Sequence, residues 1–157
     1  MRLEERALGV DIVGLNPKNE KGEYFRSNWW YWRKLWYLVV KLCKDILGPA
    51  KLELEDGTVI EYHEAEAGCT NDGLVIPAEK AEEMGRRLMK VVEDDEEWEK
   101  WSKIVNEEFD AMDREVWEQM KKALGLEEEW EPAYKLDRDV ARRFAEFCLN
   151  CGGFAVY

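Results

Sequence analysis

Apolar residues recur along this chain in two rhythms, and each rhythm predicts a kind of element. Trp29, Trp32, Trp36, Val39, Val40, Cys43 and Ile46 fall at three- and four-residue steps, the period of one helix face. Asn28 suits the N-cap before them and Gly48-Pro49 the stop after them, so the spacing predicts a helix over 28–47. Ala81, Met84, Leu88 and Val91 predict a second helix over 77–93, with Pro77 at its first position and Gly85 where another backbone can come close. Trp98, Trp101, Val105, Phe109, Met112, Val116, Met120 and Ala123 predict a long third helix over 97–124, closed by Gly125. Val140, Phe144, Phe147, Cys148 and Cys151 predict a fourth over 137–151, begun by Asp137 or Asp139 and stopped by Gly152-Gly153. The two-residue rhythm is briefer. It predicts strands at 10–15 and 154–157 and a hairpin over 51–62, with strands 51–56 and 58–62 turning at Asp56-Gly57. Residues 63–76 and 126–136 read as loops. The fold class expected is α+β, predominantly helical: one domain over 1–157, four helices packed with a small antiparallel sheet.

Composition narrows the function classes. At 157 residues the chain can bury roughly two-thirds of its unfolded surface. Its net charge of −12 and pI near 4.7 exclude nonspecific binding to duplex nucleic acid, which needs a basic footprint. They allow docking on a basic partner. The longest apolar run, Leu35 to Val40, is far short of the roughly 20 residues that span a membrane. The first residues, MRLEERALG, lack a secretory apolar core, so the expected location is cytoplasmic, where the four cysteines would be reduced.

Charge also marks one stretch as unlike the rest. Eight of the fourteen residues from Tyr24 to Tyr37 are aromatic, and from Tyr24 to Lys44 there are five cations and no acid. A basic, aromatic island in an acidic chain suits an anionic small ligand or a protein partner. The ligand-binding residues expected are Asn16, Asn19, Glu20, Tyr24, Arg26, Asn28 and Arg33, joined by Asn71 and Asp72 if the two loops meet. The same basic stripe, Arg33, Tyr37, Lys41 and Lys44, is equally the solvated back of a core helix, or a seat for the chain's own acidic run from Glu93 to Glu99. Two other function classes stay open. One is a metal-dependent enzyme acting on a phosphorylated or nucleotide substrate, with Asp11, Glu20 and Asp72 holding the metal. The other is an acidic mimic of nucleic acid, presenting Glu93 to Glu118 to a nucleic-acid-binding protein.

His63, Cys69, Cys148 and Cys151 form a second constellation. Imidazole and thiolate in a set of four suit zinc. Two of these thiols sit at i and i+3 on an apolar helix face, where inert buried thiols are also common. A thioredoxin-like reading fails, because this CxxC closes a helix and that motif opens one. There is no GxGxxG, GxxxxGK[ST], GxSxG or HExxH, and a single histidine excludes multi-histidine metal hydrolases.

The residues Asn16, Pro17, Asn19, Gly22, Tyr24, Phe25, Arg26, Asn28, Trp30, Trp32, Arg33, Leu35 and Trp36 compose an NPxNxxGxYFRxNxWxWRxLW motif. An Asn71-Asp72-Gly73 turn and an ending with Arg143, Phe144, Phe147, Gly152, Gly153 and Phe154 follow it. In these three pieces the chain resembles a family of uncharacterised proteins encoded by bacteria and their phages. Lys34 stands where that family has Pro, which leaves the helix unbroken. The resemblance implies a phage or prophage origin and brings no activity with it.

Overall fold

The computed structural model describes residues 9–132 and 134–157. The order of elements is β1 (Gly9–Gly14), β2 (Tyr24–Asn28), α1 (Trp29–Cys43), β3 (Pro49–Glu53), β4 (Val59–His63), β5 (Leu74–Ile76), α2 (Ala78–Glu93), α3 (Asp95–Leu124), α4 (Arg138–Asn150) and β6 (Phe154–Val156). Turns of 3-10 helix lie at Glu20–Gly22 and Glu64–Cys69. The fold is α+β and mostly helical, as the two rhythms predict. The sheet differs in membership. Its order is β2-β1-β6-β5, antiparallel throughout, while β3 and β4 pair only with each other. Strand β2 is hidden in the aromatic run, yet it keeps a two-residue alternation: Tyr24 and Arg26 are exposed on either side of buried Phe25. Strand β5 is three residues long, too short for alternation to announce it. Helix α1 starts after Asn28 and ends at Cys43, four residues before the predicted stop.

Phe25 of β2, Trp32 and Trp36 of α1, Phe144 and Phe147 of α4 and Phe154 of β6 form the centre of the core. Phe144 lies 5.1 Å from both Phe25 and Trp32, and Trp36 stacks on Trp32 at 5.6 Å. Such ring pairs contribute about 0.5–1.5 kcal/mol each beyond the area they bury. Both indole N–H groups find carbonyls in the segment after β4: Trp32 donates to Gly68 at 2.7 Å and Trp36 to Ala65 at 2.8 Å. Helices α2 and α4 press together at Gly85. A Cβ there would lie 2.9 Å from Leu149 and 3.0 Å from the Ala145 carbonyl.

The loop between β1 and β2 closes the end of α4. The last carbonyls of a helix lack partners within it. Here Lys18 N–H donates to Asn150 O at 2.8 Å, Asn16 N–H to Cys151 O at 3.0 Å and Leu15 N–H to Gly153 O at 2.8 Å. The Asn19 side chain adds a bond to the Asn150 amide oxygen at 2.9 Å and accepts from Lys21 N–H at 2.9 Å. The Asn-Pro loop and the Gly-Gly ending, far apart in sequence, are therefore one structural unit.

The basic stripe of α1 is covered by α3. Arg33 meets Asp113 at 3.1 Å, Lys34 meets Asp110 at 2.8 Å, and Lys41 meets Glu108 at 2.7 Å. Tyr37 donates to the same Glu108 carboxylate at 2.8 Å. The two helices run in opposite directions, so rising numbers on α1 meet falling numbers on α3. Arg33, Tyr37 and Lys41 of the stripe are thus paired with α3 rather than with Glu93 to Glu99, while Lys44 is exposed. Asp94 explains why Glu93 to Glu99 is not the partner: its carboxylate caps α3 by accepting from the N–H groups of Glu96 and Glu97, and the acids after it occupy the positive first turn of that helix.

Candidate anion cleft between two helix starts

Strand β2 delivers the chain directly into α1. Its last residue, Asn28, pairs with Gly9 across the sheet, and its side chain caps α1 by accepting from Tyr31 N–H at 2.8 Å. Asp137 does the same for α4, accepting from Asp139 N–H at 2.9 Å and Val140 N–H at 3.1 Å. The buried Tyr31 hydroxyl ties the two starts together. It donates to the Asp137 carbonyl at 3.0 Å and accepts the Asp137 N–H at 2.8 Å. Burial, foremost, raises the Tyr31 phenol above its ordinary pKa, so it stays a neutral donor.

An open cleft of about 380 Å³ lies between these starts. Strand β2 contributes Arg26 and Ser27, α1 its cap Asn28 and Tyr31, the segment before α4 Tyr134, Lys135 and Asp137, and α4 itself Val140 and Arg143. Three cations face one carboxylate, in a chain whose net charge is −12. Arg26 lies flat over β1. A Cβ at Gly9 would come within 2.5 Å of its guanidinium, so a side chain at that position would displace it. Arg26 also lies 3.8 Å from Asp11, to which Tyr24 donates a hydrogen bond. That bond, first among the causes, raises the Tyr24 phenol above its ordinary pKa.

Of the residues expected to bind a ligand, Arg26 and Asn28 line this cleft and the others do not. Tyr24 stands on the exposed face of β2 beside Asp11. Asn16 and Asn19 belong to the clamp on α4, and Glu20 opens the 3-10 turn beside them. Asn71 and Asp72 are exposed in the turn whose Gly73 donates its N–H to Val156 O at 2.7 Å. Arg33 points to α3, its guanidinium 5.1 Å from the Phe109 ring and 5.7 Å from Trp30. Five positions beyond the cap, the helix has carried it round to another face.

The four candidate zinc ligands do not assemble. His63 Nδ1 accepts Ala65 N–H at 3.1 Å, capping the 3-10 helix it precedes. Cys69 is exposed, whereas Cys148 is buried on the core face of α4 and Cys151 is buried at its C-cap. Burial pushes the Cys151 thiol up to about 11 and Cys148 well above its ordinary value. Among the described residues no group of three or more His, Cys, Asp or Glu side chains is placed to hold a metal ion, and this covers Asp11, Glu20 and Asp72 as well. Nor is the acidic ridge from Glu93 to Glu118 continuous, since Glu108, Asp110 and Asp113 bond the side chains of α1.

Lys135, Tyr134 and Arg143 escape a reading of the sequence for site residues. The first two sit in an aperiodic segment with no motif. Arg143 is legible only as a member of the Arg143-Phe144 ending, where the Phe draws the eye to the core. No protein-family profile, curated protein or solved structure matches the chain.

Proposed function

We propose that this chain is a binding protein of phage or prophage origin whose cleft between the starts of α1 and α4 receives an anionic group, carried by a small ligand or by a partner protein. The origin rests on the resemblance of its three motifs alone. The observation that carries the binding reading is the convergence of Arg26, Lys135 and Arg143 on one cleft of an acidic protein. Arginine offers paired N–H donors to a carboxylate or phosphate, and lysine adds a point charge. Asp137 repels an anion from the α4 side, so the anion belongs nearer Arg26 and Asn28, where the start of α1 adds its positive dipole end. Tyr134, half-exposed at the rim, supplies an apolar wall. Binding alone accounts for these features, and no reaction is required.

The test is titration with inorganic phosphate, pyrophosphate and citrate, followed by amide chemical shifts. Saturable shifts at Arg26, Asn28 and Arg143 are expected, lost in Arg143→Ala. Arg143 is exposed and makes no ion pair or side-chain hydrogen bond among the described residues, so its loss should move stability by no more than about 0.5 kcal/mol. Shifts that arise elsewhere, or binding indifferent to Arg143, refute the proposal.

A further inference from the structure

Helix α3 is longer than the body it packs on. Its apolar stripe is buried at Val105 and Phe109, then continues along the same face past the start of α1. There Met112, Val116, Met120 and Leu124 are 47, 54, 45 and 66 % exposed. The flank bearing Trp117 is closed by the returning chain: Trp117 donates to Glu128 O at 3.1 Å and Trp130 to Asp113 at 3.1 Å. Among the described residues none covers the stripe itself, which is open over about 18 Å of helix. A contiguous apolar face of this kind marks an interaction site.

We infer that a second copy of this chain covers it, with the two α3 helices packed antiparallel about a twofold axis near residue 118. The positions fit that symmetry. Met112 and Leu124 lie six residues to either side of the centre, and Val116 and Met120 two, so each apolar residue meets an apolar residue of the partner. Charge favours this contact. Residues 112–124 hold three acids and three bases and are neutral, while the chain as a whole carries −12. Two copies therefore approach here with the least repulsion.

Sedimentation velocity on the full chain at up to about 1 mM, where even a weak interface associates, decides the matter. A dimer is expected, weakened at least tenfold by Val116→Glu with Met120→Glu while the far-ultraviolet spectrum is unchanged. A chain that stays monomeric throughout overturns the inference. So does a monomer that the stripe substitutions destabilise, which would mean that the stripe is covered within the chain itself. A dimer indifferent to the stripe substitutions would also overturn it.

Discussion

The ion pair between Lys34 and Asp110 should behave very differently according to which partner is removed. Lys34 has no exposed side-chain surface, whereas 27 % of the Asp110 side chain reaches solvent. In Asp110→Ala the ammonium is stranded. Its hydrogen-bond partner at 2.8 Å is gone, and the Phe109 ring, 5.6 Å away, still faces it. Breaking a buried pair by deleting one partner costs roughly 3–5 kcal/mol. Partial solvation on the Asp110 side puts the expectation at the lower end, about 3 kcal/mol. In a domain of this size that lowers Tm by about 6–12 °C. In Lys34→Met the buried charge goes while an apolar stem of similar length stays, and Asp110 turns to water. That change should lie within about 1 kcal/mol of wild type in either direction. The double variant Lys34→Met with Asp110→Ala should recover most of what Asp110→Ala lost, a strongly non-additive cycle. Urea unfolding at constant slope is the assay. Equal losses in the two single variants, or an additive double, would show that Lys34 is not the buried, dependent member of the pair.

Two further expectations test the packing. Gly85→Ala improves helix propensity by about 1 kcal/mol, yet it drives a Cβ to within 3.0 Å of Leu149, the Ala145 carbonyl and Cys148, so a net loss of about 1–2 kcal/mol is expected by thermal unfolding. With a thiol reagent at pH 8, exposed Cys69 should react first and Cys43, Cys148 and Cys151 only on unfolding. Burial holds Cys43 and Cys151 up at about 11, so both stay protonated far above that pH, and three or more fast equivalents would contradict their placement.

The helices were legible because each has a stripe of apolar residues at helical spacing, although α1 also buries Tyr31, Lys34, Leu35 and Leu38 outside its stripe. Trp32, Trp36, Leu88, Val105, Phe144 and Phe147 all lie where a 3.6-residue period puts them. Asn28, Asp137, Gly125 and the Gly-Gly stop mark real ends for a local reason, since capping involves only nearby residues. Sheet membership is non-local. Nothing near Lys51 reveals that its hairpin stays apart, and the short alternation of Tyr24–Asn28 is masked by the aromatic and cationic residues that follow it. The fate of the basic stripe depends on α3, whose direction and overlap with α1 are set by packing between residues some seventy positions apart. Composition shows that cations and acids exist in separate stretches; only the antiparallel docking shows that they neutralise one another.

That docking bears on where function can reside. The densest motif of the sequence is largely occupied in holding the molecule together. Asn16 and Asn19 close α4, Trp32 and Trp36 build the core and tether the segment after β4, and Arg33 joins α1 to α3. A segment so rich in tryptophan and arginine suggests a ligand, but burial and pairing use most of it. The residues that remain available are quieter. Lys135 and Arg143 flank the start of α4, and the outer half of α3 projects its methionines beyond the body. The returning chain borders both places: Glu128 and Trp130 bond α3 beside the stripe, and Tyr134 and Lys135 line the cleft. A chain paired through α3 would hold this segment against its partner, and the position of Lys135 would then depend on that contact. Anion affinity should accordingly rise with protein concentration across the range in which the dimer forms, and be independent of it in the Val116→Glu, Met120→Glu variant.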